Sequence, residues 1–144
     1  MQPCNEETEA RRKPERTCDV SMKMIWAIIR PEYSQKVIDA LEKTGISAMT
    51  RLHVTGHGAE IGITAGHVNY SEIPKEMLML VLPDIDIAHA VKIISTTAKT
   101  WQKENPGHGS VGDGKIFVTY VEDAYTIRTS ENRKDRFGSS GKDR

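Results

Sequence analysis

The residues best suited to chemistry stand together near the end of the chain. Two glycines flank Asp113, and Lys115 follows the second. Glycine lets successive backbone N–H groups converge on an anion without Cβ atoms in the way, and the lysine adds a point charge. Gly112, Asp113, Gly114 and Lys115 therefore predict a phosphate-binding turn. Gly109, Gly114 and Lys115 also satisfy the first part of G-x-x-x-x-G-K. That pattern requires Ser or Thr next, to hold Mg²⁺, and then a helix. Here Ile116 follows, and the run IFVTYV is β-branched and aromatic, so the lysine opens a strand. Taken by themselves, the four residues leave a plain glycine-rich turn between a helix and a strand open as the alternative. Other chemistry finds less support. His53 and His57 on an extended strand would lie roughly 13 Å apart, and with His67 they form no closed ligand set, so no zinc or copper site is expected. Cys4 and Cys18 fit no metal or redox spacing. No nucleophile has a positioned base, and the expectation is a protein without catalytic activity.

Length and charge bound the possibilities. The chain has 144 residues, about one domain, and its 20 acidic and 20 basic residues balance. No global field attracts nucleic acid or an anionic membrane. The apolar run from Met77 to Leu82 is too short to span a bilayer, and the polar start lacks the hydrophobic stretch of a secretory signal, so the reading is a cytosolic, cytoplasmic protein. Residues 1–21 mix Glu, Arg, Lys and Pro with few large apolar side chains and read as a disordered extension. Residues 131–144 read as a flexible charged tail.

Between the tails, 22–130 reads as one domain. MKMIWAIIR is a strand apolar on both faces. Glu32 to Thr44 has Val37, Ile38 and Leu41 at helical spacing and stops at Gly45. A second strand is expected from Ile46 to about Val54, then a long glycine-punctuated loop or hairpin. KEMLMLVLP is a third strand, and Ile87, Ala88, Val91, Ile94 and Ala98 mark a second helix from Ile85 to about Thr100. The loop from Trp101 to Ser110 leads to the glycine turn and a fourth strand, with a short fifth strand or extended arm from Tyr125 to Thr129. The expected class is α+β, a ferredoxin-like βαββαβ antiparallel sheet with helices on one face. Because the first, third and fourth strands are apolar both ways, the other face is expected to be buried in an oligomer.

Several segments together carry a family resemblance. MKMIWAIIRPE, SAMT at Ser47 to Thr50, TGHG at Thr55 to Gly58, IPK at Ile73 to Lys75, GDGKIFV at Gly112 to Val118 and IRTSE at Ile127 to Glu131 resemble a PII nitrogen-regulatory signal transduction protein. AGHVNYSEIPKEMLMLV and EDAYTIRT are most similar to the branch encoded beside nitrogenase genes. The resemblance implies a trimer with ATP or ADP clefts between subunits, Mg²⁺ with 2-oxoglutarate as effector, and a partner-binding T-loop at about 57–73. It also implies a B-loop region at about 101–115. The implied partners are the dinitrogenase component of nitrogenase and either identical subunits, as a homotrimer, or a paralogue in a mixed assembly.

By resemblance, Thr50, Gly56, Gly58, Val81, Gly112, Asp113, Gly114, Lys115 and Arg128 bind nucleotide, and Glu60, Ile61, Gly62 and Lys75 occupy the 2-oxoglutarate site. This chain departs from the family at Ala59, Glu60 and Ile61, where an arginine or lysine and then Gln-Lys are usual. Glu60 would repel an acidic effector unless a metal intervenes. Thr126 replaces one of two paired arginines, and the 101–110 loop is longer than the family connection. Tyr70 does not align with the tyrosine that other members use for uridylylation, so control by that modification is not expected. The alternative implied by these departures is a PII-like partner or subunit that has lost nucleotide and 2-oxoglutarate sensing and regulates a different target.

Overall fold

The computed structural model describes residues 21–58, 63–65, 68–70 and 72–130, with side chains outside 59–71. The expectations for the two tails, for both cysteines, for His67 and for Glu60, Ile61 and Gly62 lie outside the described residues. The elements run β1 (Met22–Ile29), α1 (Pro31–Glu42), β2 (Thr50–Gly56), β3 (Ile63–Ala65), β4 (Val68–Tyr70), β5 (Ile73–Pro83), α2 (Asp84–Thr97) and β6 (Gly114–Val121). Proline at the first helical position suits α1, since its missing N–H would be unpaired there in any case. Asp84 and Asp86 place negative charge at the positive end of α2.

Four strands form one sheet in the order β2-β5-β1-β6, each neighbouring pair antiparallel. With the two helices this is the ferredoxin-like α+β arrangement. Alternation along β1 and β5 decides which face takes the helices. Ile25, Ala27 and Ile29 join Leu78, Leu80 and Leu82 against Val37 and Leu41 of α1 and Ile87, Ala90 and Ile94 of α2, forming the core. Met24, Trp26 and Ile28, with Met77, Met79 and Val81, lie half buried on the opposite face, which no helix covers. Trp26 stands in register with Met79 on one side and Phe117 on the other, and Phe117 is 49% exposed. An apolar sheet face of this kind is the feature from which an oligomer is inferred.

Two stretches differ from the sequence expectation, and a third resolves one of its alternatives. β2 begins at Thr50 and not at Ile46, because α1 ends in a turn with Gly45 at φ +88° and the chain needs 46–49 to re-enter the sheet. Ile46 and Met49 still pack on the core, which is why they are apolar. The glycine-punctuated segment contains a short hairpin, β3 on β4, with Ile63 opposite Tyr70 and Ala65 opposite Val68. The stretch after Tyr125 is no strand: Tyr125 makes a single bridge, and the amides of Thr129 and Ser130 both turn back to the Thr126 carbonyl.

Gly45 offers a first test. A Cβ there meets nothing within 4 Å, so Gly45→Ala isolates the cost of the positive φ. A loss of about 1–2 kcal/mol is expected from urea denaturation.

Candidate functional site

The glycine turn is built by the close approach of two strands. Gly112 and Gly114 have φ of +90° and +124°. A Cβ on Gly114 would run into the Ile28 carbonyl of β1, so this position has room for hydrogen alone. Lys115 follows as the second residue of β6, exposed and in register with Ile28.

Asp113 holds the loop in shape. Its Oδ2 accepts from the backbone amides of Thr100 at 2.9 Å and Ser110 at 2.8 Å. Its Oδ1 accepts from the Thr100 hydroxyl at 2.5 Å and lies 3.4 Å from Arg30 Nε. Arg30 also donates to the Val111 carbonyl at 2.8 Å. Burial works against the charged carboxylate, but the hydrogen bonds from Thr100, Ser110 and Arg30 outweigh it and hold the group below its ordinary value of 3.8. The side chain of Asp113 is thereby committed to its own loop.

On the other side of the turn lies Lys75, 8% exposed, whose Nζ donates to the Gly112 carbonyl at 2.5 Å. Gly56 makes room for that lysine, since a Cβ would come within 3.2 Å of its Cγ. Lys75 stands on β5 opposite Val54, with Gly56 opposite Ile73, so β2 and β5 carry both ends of the 57–73 segment to this point.

A cleft of about 420 Å³ results. It brings together Gly56, Gly58 and Lys75 from the base of that segment with Gly112, Gly114 and Lys115 from the turn, between walls that include Ile28 and Phe117. Chemically this lining suits an anion: an exposed lysine, a buried lysine and glycine backbone that an oxygen can approach closely. Lys115 suits a phosphate, and Lys75 suits a carboxylate or phosphate oxygen.

The remaining expected residues lie elsewhere in the chain. Thr50 and Val81 line a separate depression of about 360 Å³ on the open sheet face, with Met24, Met49 and Met79. Arg128 is exposed in the turn after β6 and lines neither cleft. Asp113 borders a third cleft, on the helix side of the turn. His53 pairs with Glu76, Nδ1 to Oε1 at 3.2 Å, while His57 lines the main cleft. Among the described residues no group of three or more His, Cys, Asp or Glu could hold a metal ion. No helix among them is long and apolar enough to cross a membrane.

Sequence reasoning missed Arg30, Thr100 and Ser110. Thr100 and Ser110 bracket the 101–109 stretch, and Arg30 ends an apolar strand immediately before a proline, but no spacing rule joins the three. It also missed the buried carboxylate of Glu76, which faces His53 across the strand pair and lies 3.7 Å from Arg51 Nε.

Comparison with known proteins places this geometry. Residues 22–131 match the family model "Nitrogen regulatory protein P-II". Over 110 residues the chain is 46% identical to a "Nitrogen fixation nifHD region GlnB-like protein 1" of Methanothermobacter marburgensis, covering 76% of this chain and 97% of the relative. It is 41% identical over 119 residues to "Nitrogen regulatory protein P-II 1" of Methanothermobacter thermautotrophicus, covering 80% of this chain and 96% of the relative. Among solved structures, Arabidopsis thaliana PII bound to citrate superposes with a TM-score of 0.62 at 28% identity, over 81% of this chain and 90% of that one. Fold, family model and relatives agree: the chain belongs to the nitrogen regulatory P-II family, and within it resembles the nitrogen-fixation-region members.

Proposed function

We propose that this PII-type regulator binds ATP or ADP through the Gly112–Lys115 turn and transmits occupancy to a partner through the 57–73 segment. The observation that carries the reading is the shared cleft. The phosphate-type turn and the base of the 57–73 segment are joined by the hydrogen bond from Lys75 to the Gly112 carbonyl. An anion arriving at the turn competes for Lys75, and so bears on the two strand ends from which the segment projects. Effector binding that differs between two arrangements of that segment shifts their populations, which is all that regulation requires.

In this reading the partner is nitrogenase, at its dinitrogenase component, as the nifHD-region names of the relatives suggest. The working assembly is a trimer, of identical subunits or mixed with a paralogue, with the open face of the sheet buried at its centre. Thr50, Val81 and Arg128 then complete clefts formed between subunits. Mg²⁺ and 2-oxoglutarate would be held near Lys75, and the protein acts in the cytoplasm.

A second reading is favoured by Ala59, Glu60 and Ile61, which replace cationic and amide donors with a carboxylate and apolar groups. It is a PII-like subunit without effector control, acting on a different target. Calorimetric titration with Mg-ATP, alone and with excess 2-oxoglutarate, separates the two. Lys115→Ala is expected to weaken Mg-ATP binding by about 1.5–3 kcal/mol, the value of one charge-assisted contact. An assembled trimer that binds no nucleotide would overturn the sensor reading and favour the second.

A further inference from the structure

The glycine turn has a second cleft behind it, on the helix side, of which the proposed function uses only the turn residues themselves. Its volume is about 400 Å³. The floor is apolar: Ile29, Ile94 and Ala98 are 2%, 0% and 5% exposed, and Ile116 is half buried beside them. Its rim differs in kind from the floor. Lys99 lies in the bend just after α2, and His108 and Ser110 come from the 101–110 stretch.

That stretch is braced over the cleft. Lys99 Nζ donates to the Gly107 carbonyl at 2.8 Å, Gln102 donates to the Ser110 hydroxyl at 2.7 Å, and the His108 amide donates to the Asn105 carbonyl at 3.2 Å. Gly109, at φ +71°, leaves no room for a Cβ between Asp113 and Lys99. The one acid on the rim is Asp113, and both its oxygens already accept from Thr100, Ser110 and Arg30. An ammonium group entering the cleft would find no available carboxylate, whereas a carboxylate would find a lysine with further N–H donors and a histidine.

We infer that this cleft is a binding site for a small monocarboxylate with a branched apolar body, the acid group at Lys99 and His108 and the body on Ile29, Ile94 and Ala98. An apolar floor under a rim of polar groups that can fix an acid matches the make-up of small-molecule sites. The site shares Gly114 and Lys115 with the cleft at Lys75 but lies on the helix side of the turn, and the inference does not rest on nucleotide binding.

The test is a titration of the ¹⁵N-labelled full chain, without nucleotide, with 4-methylpentanoate, followed by amide shifts. Leucine has the same skeleton with an added ammonium, and acetate has the acid group without the body. Saturable shifts centred on Ser95, Ala98, Lys99 and Ser110 are expected for 4-methylpentanoate, with both comparators at least about tenfold weaker. Lys99→Met should weaken binding roughly ten- to a hundredfold. Ser95→Phe, at an exposed helix position on the lip of the cleft, should abolish it while the rest of the spectrum stays folded. Shifts confined to Gly56, Gly58 and Lys75 would overturn the inference. So would a Lys99→Met chain that binds as well as the unaltered one, equal affinity for acetate, or no saturable shift.

Discussion

Gly114→Ala is expected to lose roughly 3–4 kcal/mol or more of stability, placing it among the exceptional single substitutions. Two costs coincide at this residue. The backbone sits at φ +124°, which an L side chain rarely adopts and which costs about 1–3 kcal/mol when imposed. The added methyl also has nowhere to go. Besides the Ile28 carbonyl oxygen it would meet the Ile28 carbonyl carbon at 2.9 Å and the Ile29 Cα at 3.1 Å, all of them backbone. Relief requires pulling β6 away from β1 at Ile29–Gly114, the first rung of their pairing. Gly107→Ala is the control, because it shares a positive φ of +92° but meets nothing within 4 Å. It should cost only about 1–2 kcal/mol. Urea denaturation of the two variants checks the difference, and equal costs would sink the steric account. Because Lys115 is the next residue of β6, Gly114→Ala should also weaken the nucleotide binding proposed above.

The parts of this architecture that were legible in the sequence are those set by local periodicity. The two-sided apolar strands β1 and β5 announce themselves, and so do the helices they pack against. The glycine turn was legible as a turn too, because few residue types accept the positive φ that Gly112 and Gly114 adopt. What escaped were relations across the fold. Ile46, Ala48 and Met49 look like a strand start, yet the helix end at Gly45 consumes the chain before it can join the sheet. A hairpin was one of two expectations for the glycine-punctuated segment, but its strands β3 and β4 have three residues each, too few for a pattern that places them. Asp113 reads locally as a turn residue, and its role depends on partners 3, 13 and 83 positions away. Thr50, Val81 and Arg128 belong to the resemblance, and the chain does not gather them with the turn.

Asp113 gives the second large effect. Removing its carboxylate in Asp113→Ala leaves two backbone amides, a threonine hydroxyl and part of Arg30 without their acceptor. At about 1–3 kcal/mol for each unsatisfied buried group, a loss of about 3 kcal/mol is expected, since the loop is partly open to water. Asp113→Asn should cost only about half as much, roughly 1.5 kcal/mol. Its one remaining oxygen can face the two amides, and its NH₂ can donate to Thr100, whose hydroxyl rotates to accept. Arg30 alone then faces a donor. The pH dependence separates charge from shape. The folded-state pKa is lowered, so the carboxylate contributes stability that is present above its ordinary value of 3.8 and is lost as pH falls through the lower folded value. Stability of the unaltered chain should therefore fall more steeply below about pH 4 than that of either variant, so that the gaps between the curves narrow. Chemical denaturation from neutral pH into that range measures it. Parallel curves would mean that Asp113 acts through shape alone, and that the loop beside the glycine turn is held without its charge.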